Sequence, residues 1–301
     1  MMSLLIQATW LRGDIRSKLS GISKAKFKFI ELTENDLIDA KEGGEDLKAL
    51  LFEYGLRLSI FEISSNLQGI NNNPDKETIK KIDLKFEAAK SLGSKLILLK
   101  STILKQNYLD CSSIERALKY IALRASYFGV RVAYMSIPTD FSIGNVDPAI
   151  KTIESIGSPY LGLAINSLYA LSNGSRPLEL RDVPIHSIFH VQLCDGYVQQ
   201  PASEEQSSHS DMLPGQGNLN LAGFVKVIAA SGYKGSWSLA KIDSKKAKKS
   251  FIDNAYDAYR ALVNLLDEVE RTDPQIKFET PKMPASCLLY TSDAADDSRS
   301  V

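Results

Sequence analysis

Short apolar stretches alternate with longer amphipathic ones along most of the chain, and this pattern predicts strands and helices in strict turn. Leu4 to Thr9 reads as a strand, Ile15 to Ala25 as a helix, and Phe29 to Leu32 as the next strand. A helix from Asp46 to Tyr54 stops at Gly55, Leu56 to Phe61 is a strand, and a charged helix from Lys76 to Leu92 closes at Gly93. The second half repeats the pattern. Strands are expected from Lys95 to Leu99, Val130 to Tyr134, Leu161 to Ile165, Ser187 to Leu193 and Gly235 to Leu239. Helices are expected from Ser113 to Phe128, Val146 to Ile156, Leu219 to Ala230 and Lys248 to Val269, with only a short helix or loop between Ile165 and Ser187. Eight strand-plus-helix units in unbroken alternation point to a parallel sheet closed on itself, an α/β fold of the (β/α)8 barrel type over residues 1–272.

Composition narrows the function classes. The chain has 301 residues, 44% of them hydrophobic, enough for one large core. Its 36 basic residues balance its 36 acidic ones, so no global field draws nucleic acid or an anionic membrane, and a small-molecule ligand is favoured. No apolar run reaches the roughly 20 residues of a membrane span, and the start lacks a basic region and a cleavage site, so the cytoplasm is the expected compartment. Cys111, Cys194 and Cys287 have neither metal-ligand nor disulfide-framework spacing, in keeping with a reducing environment. Self-association into a homo-oligomer stays open. Pro274, Pro281 and Pro284 mark residues 273–286 as a linker or tail. The eleven residues from Cys287 to Asp297 resemble a translated sequencing adapter, so 287–301 are left out of the fold.

In a barrel of this kind chemistry sits where the strands end. The residues there are Glu31, Glu34 to Asp36, Glu62, Lys100, Met135, Asn166, Gln192 with Asp195, and Ala240. Glu31 and Glu62 could supply two oxygen ligands to a divalent cation and Gln192 a third, although nothing in their spacing brings them together. The alternative is a Glu31 held by a lysine or by backbone donors. Lys100 is either an amine nucleophile or a solvated lysine. His190 lies inside a strand and reads as a core histidine bonded to backbone, His186 sits at a strand entrance, and His209 lies in a polar loop that overhangs the site. Leu213-Pro-Gly-Gln-Gly217 either cradles an anion or is a turn that needs glycine, and without P-loop spacing the turn is favoured.

Several blocks taken together resemble one family. They are Phe29-Ile-Glu-Leu-Thr-Glu-Asn-Asp-Leu37, Lys85-Phe-Glu-Ala-Ala-Lys-Ser-Leu-Gly93, and Tyr160-Leu-Gly-Leu-Ala-Ile-Asn-Ser-Leu168. Val183-Pro184 running into Phe189-His-Val-Gln-Leu-Cys-Asp195 follows, then Leu213-Pro-Gly-Gln-Gly217 with Leu221-Ala-Gly-Phe224, and Gly232-Tyr-Lys-Gly-Ser-Trp-Ser-Leu239. The set is similar to the xylose-isomerase-like TIM barrels and, within them, to the bacterial-type 3-dehydroshikimate dehydratases, from about Gln7 to about Glu270.

The resemblance implies a carbon–oxygen lyase of quinate and shikimate catabolism, converting 3-dehydroshikimate to protocatechuate with a divalent metal (Mg, Mn or Co) that polarises the substrate carbonyl. The family's four ligand positions fall on Met135, Asn166, Gln192 and Ala240, and Gln192 alone keeps a plausible ligand. A motif histidine falls on Tyr169 and a substrate-facing arginine on Asp211, while a histidine two residues earlier is kept as His209. Without the lost carboxylates a dication is no longer offset, and Asp211 repels a carboxylate substrate. The expectation is therefore a dehydratase-like barrel that is inactive (a pseudoenzyme) or redirected. The alternative is a lyase or isomerase of a small polyhydroxylated carbonyl compound working through Glu31, Glu62 and His209, with Gln192 on any metal. Tyr169, Lys100, Asp195, Asp211 and Gln216 are then the substrate-facing residues. Some relatives in this family carry a C-terminal domain resembling 4-hydroxyphenylpyruvate dioxygenase, and residues 277–285 could open a linker to one.

Overall fold

The strands are the staves of the barrel wall, from 3 residues in the shortest to 9 in the longest. In the computed structural model, which describes residues 4–11, 13–65, 70, 74–101, 111–135, 146–171, 176–197, 212–240 and 251–278, they pair in parallel in chain order. They are β1 (Leu4–Gln7), β2 (Phe29–Thr33), β3 (Arg57–Ser65), β4 (Leu96–Ser101), β5 (Arg131–Met135), β6 (Leu161–Asn166), β7 (Ile188–Leu193) and β8 (Trp237–Leu239), with β8 closing onto β1. Outside them lie α1 (Ile15–Lys24), α2 (Glu34–Glu42), α3 (Leu47–Glu53), α4 (Lys76–Ser91), α5 (Cys111–Phe128), α6 (Val146–Ile156), α7 (Ser167–Leu171), α8 (Leu221–Ala230) and α9 (Phe251–Thr272). The expected barrel is the observed one.

Alternation along each strand divides the apolar residues between two cores. The outer core joins strands to helices; Leu19 and Ile22 of α1 and Leu262 and Leu266 of α9 are fully buried in it. Each such side chain contributes about 1.5–3 kcal/mol of transfer free energy. The inner core is smaller. Leu5, Ile60, Leu96, Leu98, Ala133, Met135 and Ala164 fill the barrel, with Phe29 and Phe189 packed against them. Gly162 makes room for the Phe189 ring, which a Cβ there would meet at 2.4 Å, and the Arg131 guanidinium covers that ring at 4.7 Å. The N-terminal end of the barrel is thus sealed.

Two register shifts set what the interior displays. One falls between Ile30 and Glu31 against β3, the other between Leu163 and Ala164 against β7. At the second, Phe189 is the extra residue, so Phe189 and His190 both face inward while Ile188, Val191 and Leu193 pack outward.

Helix starts follow local chemistry. Asp14, Asp46 and Asp75 cap α1, α3 and α4 by accepting from backbone amides one turn on. Helix α2 is absent from the expected pattern, yet Thr33 and Asp36 form a reciprocal capping box at its start. That Thr-x-x-Asp spacing was the available signal. Residues 273–278, expected in the tail, begin as part of the barrel: Ile276 and Phe278 pack on the outer core, and Phe278 meets Trp237 edge-on at 6.2 Å. Among the described residues no helix is long and apolar enough to cross a membrane.

Candidate functional site

At the C-terminal end of the strands the interior turns from apolar to polar, and the polar residues cluster on β1 to β4 and on β7. Gln7, at the end of β1, donates from Nε2 to Glu31 Oε1 at 3.2 Å and to Glu62 Oε2 at 2.6 Å. Lys100 Nζ lies 2.9 Å from the same Glu62 oxygen. On the other side of Glu31, Gln192 Nε2 donates to Oε1 at 2.5 Å and His190 Nε2 reaches Oε2 at 3.2 Å. Asn166 Nδ2 then donates to Gln192 Oε1 at 3.2 Å, and its own Oδ1 accepts the Leu168 amide at 3.0 Å, opening α7. One connected network therefore spans five of the eight strands and continues through Asn166 to β6.

The two carboxyls are pushed in opposite directions. Burial would raise Glu31, but the hydrogen bond and charge of His190, with the charge of Lys100, outweigh it and hold this carboxyl below its usual range. Glu62 is driven up by burial and by the neighbouring charge of Glu31, against the pull of Lys100. The Glu62–Lys100 pair is the accessible part of the network: the Lys100 side chain keeps 16% of its surface in contact with solvent, whereas Glu31 and His190 keep none.

Asp195, expected to face a ligand, is instead the anchor of the loop that follows β7. Its Oδ1 accepts from Gly196 at 2.8 Å and Leu219 at 3.3 Å, and its Oδ2 from Gly215 at 2.9 Å and Gly217 at 3.0 Å. The glycine-rich loop does cradle an anion, and the anion is the chain's own carboxylate. Gly217 has to be glycine because a Cβ there would sit 2.1 Å from the Gly196 carbonyl oxygen. Gly217→Ala should therefore lower stability by roughly 2–4 kcal/mol in chemical denaturation, since the obstacle is backbone and cannot rotate away.

The structure brings together Glu31, Glu62, Lys100 and Gln192. Glu31 is held by side chains of Gln7, His190 and Gln192, and Lys100 is ion-paired to Glu62. His190 bonds to a carboxylate, and Ser236 lies 3.4 Å from its Nδ1. His186 is exposed beside Glu154. Tyr169 packs against the inner core, and the Gln216 side-chain Oε1 accepts the Leu213 amide within its own turn at 3.1 Å. His209 and Asp211 lie outside the described residues. Gln7 is not among the expected strand ends because the expected first strand runs to Thr9, whereas β1 ends at Gln7, where a 3-10 turn over Ala8–Trp10 begins.

The positions to which the resemblance assigns a divalent metal do not fit one. Met135 and Ala240 are buried without an oxygen donor, and the amides of Asn166 and Gln192 are bonded to each other. Among the described residues no three His, Cys, Asp or Glu side chains are grouped to hold a metal ion.

Residues 20–268, nearly all of this barrel, match the xylose isomerase-like TIM barrel family. The chain belongs to that family. Within it, the chain is 28% identical over 279 residues to a 3-dehydroshikimate dehydratase of Pseudomonas aeruginosa and 26% identical over 284 residues to one of Pseudomonas putida. It spans 44% of the length of each of these relatives. Among solved structures it is similar to a xylose isomerase-like TIM barrel/4-hydroxyphenylpyruvate dioxygenase fusion protein, with a TM-score of 0.81 and 25% identity, covering 94% of this chain and 45% of the fusion. It also shares its fold with the IOLI protein, solved with a zinc atom, at a TM-score of 0.75 and 17% identity over 90% of this chain and 99% of that one. The family's barrel is kept here, with the charged residues of the mouth on β2, β3, β4 and β7.

Proposed function

We propose that this chain is a 3-dehydroshikimate dehydratase-like barrel that no longer performs the metal-assisted dehydration and instead binds a small, uncharged polyhydroxylated carbonyl compound at its mouth. The observation that carries this reading is the Asn166–Gln192 amide pair, bonded to each other and, through Gln192, to Glu31 where metal ligands are expected, with Met135 and Ala240 buried and without oxygen donors. Charge supports the choice of ligand. Lys100 is already bonded to Glu62 and His190 to Glu31, so an anionic substrate meets two carboxylates whose basic partners are engaged, where a neutral polyol finds donors and acceptors. The fusion protein among the solved relatives supports a dioxygenase-like domain as this barrel's partner in a longer chain.

One observation favours a second reading, in which chemistry survives without metal. Glu62, raised by burial and by Glu31, sits beside the Lys100 ammonium at the accessible edge of the network. A carboxyl tuned in this way suits proton transfer next to a carbonyl whose oxygen an ammonium receives. Protocatechuate formation from 3-dehydroshikimate, followed by ultraviolet absorbance on the full chain, separates the two. The expected result is no turnover with magnesium, manganese or cobalt, and none with chelator. Metal-dependent turnover that chelator abolishes overturns the first reading, and chelator-resistant turnover lost in Glu62→Gln establishes the second.

A further inference from the structure

We infer that Lys100 is the resident cation at the open edge of this barrel, balancing Glu62 beside the His190–Glu31 pair and presenting its ammonium to the oxygen of a neutral ligand. The inference deepens the metal-free reading of the mouth and rests on it. Its basis is where the charges lie. Gln7 Nε2 touches both carboxylates, at 3.2 and 2.6 Å, which brings two like charges close together in an interior of low polarity. Like charges so placed need a cation between or beside them. Among the described residues His190 meets Glu31 at 3.2 Å, and the ammonium that serves the other carboxylate is Lys100, 2.9 Å from Glu62, whose charge also acts on Glu31.

The geometry explains why a lysine serves. Lys100 is the second-to-last residue of β4, in register with Met135 on β5 and Ser64 on β3, so its stem rises along the wall from the inner core. Its ammonium is a compact charge with three N–H donors, one of which suffices for Glu62. The others suit a carbonyl or hydroxyl oxygen entering from the mouth, since the side chain keeps part of its surface in contact with solvent. While the ammonium is present, a dication brought to the same carboxylates meets a like charge. Removing the ammonium uncovers two carboxylates within reach of one ion.

The full chain is titrated with manganese(II), with melting temperature and the free-ion electron paramagnetic resonance signal as readouts. Wild type should show neither a melting shift nor signal loss at millimolar manganese. Lys100→Met should take up manganese and melt about 5 °C higher once the ion stands about 100-fold above its dissociation constant. Lys100→Arg, which keeps the charge, should stay as indifferent as wild type. A folded Lys100→Met that ignores manganese overturns the assignment and leaves the metal-free reading standing; uptake by wild type overturns that reading, and the assignment with it. Should Lys100→Met fail to fold, Lys100→Gln, which retains a hydrogen-bond donor for Glu62, is judged by the same two outcomes.

Discussion

Asp195→Ala should lower the melting temperature by roughly 6–15 °C, the equivalent of about 3–5 kcal/mol in a chain of this size. The reason is the number of donors one carboxylate serves. Four backbone amides, those of Gly196, Gly215, Gly217 and Leu219, point at its two oxygens, and removing it leaves all four without a partner in a largely buried setting. A hydrogen bond to a charged acceptor is worth about 1.5–3 kcal/mol, and solvent entering at the exposed tip of the loop recovers part of the sum. Asp195→Asn is the sharper variant. It keeps the shape but turns one oxygen into a donor that faces two amide donors, so it should cost about 2–3 kcal/mol despite being nearly isosteric. Limited proteolysis checks the location: both variants should gain cleavage between Met212 and Asn220 before they unfold. A pair of variants as stable as wild type would remove Asp195 from the role of loop anchor.

Glu31→Ala should cost a comparable amount, about 3–5 kcal/mol at neutral pH, because it strands the donors of Gln192 and Gln7 and the imidazole of His190 in the interior. Glu31→Gln should cost less, about 1–2 kcal/mol. Its carbonyl can still accept from Gln7 and Gln192, and its amide can donate to His190 if the imidazole proton moves to the nitrogen beside Ser236. The pH dependence has a definite sign. The folded-state carboxyl of Glu31 lies below its ordinary value of 4.5, so its ionic contribution is fully present above that pH and fades as pH falls through the folded value. The gap between wild type and Glu31→Ala, measured by urea unfolding, should therefore be widest near neutrality and shrink below about pH 4.5. Glu62 works the other way: raised in the folded state, it favours folding most at low pH and less as pH rises through its folded value. A gap for Glu31→Ala that widens on acidification would contradict the network described for Glu31.

These two residues also show where the chain could and could not be read in one dimension. Glu31 stands out in the sequence as a carboxylate at a strand end, but its partners His190 and Gln192 lie 159 and 161 positions away and face it after the register shift at Phe189. Asp195 looks like any polar residue after a strand. Its inward turn follows from Gly217 allowing backbone to pass within contact distance, which no spacing rule expresses.

The sequence by itself determined the barrel, because apolar alternation with period two in the strands and near 3.6 in the helices is a local property that survives without knowledge of neighbours. It also determined the family, and that Met135 and Ala240 bring no side-chain oxygen donor, since that is a matter of residue identity. Only the tertiary structure decided which polar side chains meet. Closing β8 onto β1 brings Gln7 into the mouth, and Gln7 joins Glu31 to Glu62 across 24 and 55 positions of chain. A hydrogen-bonded interior is satisfied by whatever donors the closed wall places within about 3 Å, and that placement depends on register, bulges and shear, quantities that exist only once the sheet has closed.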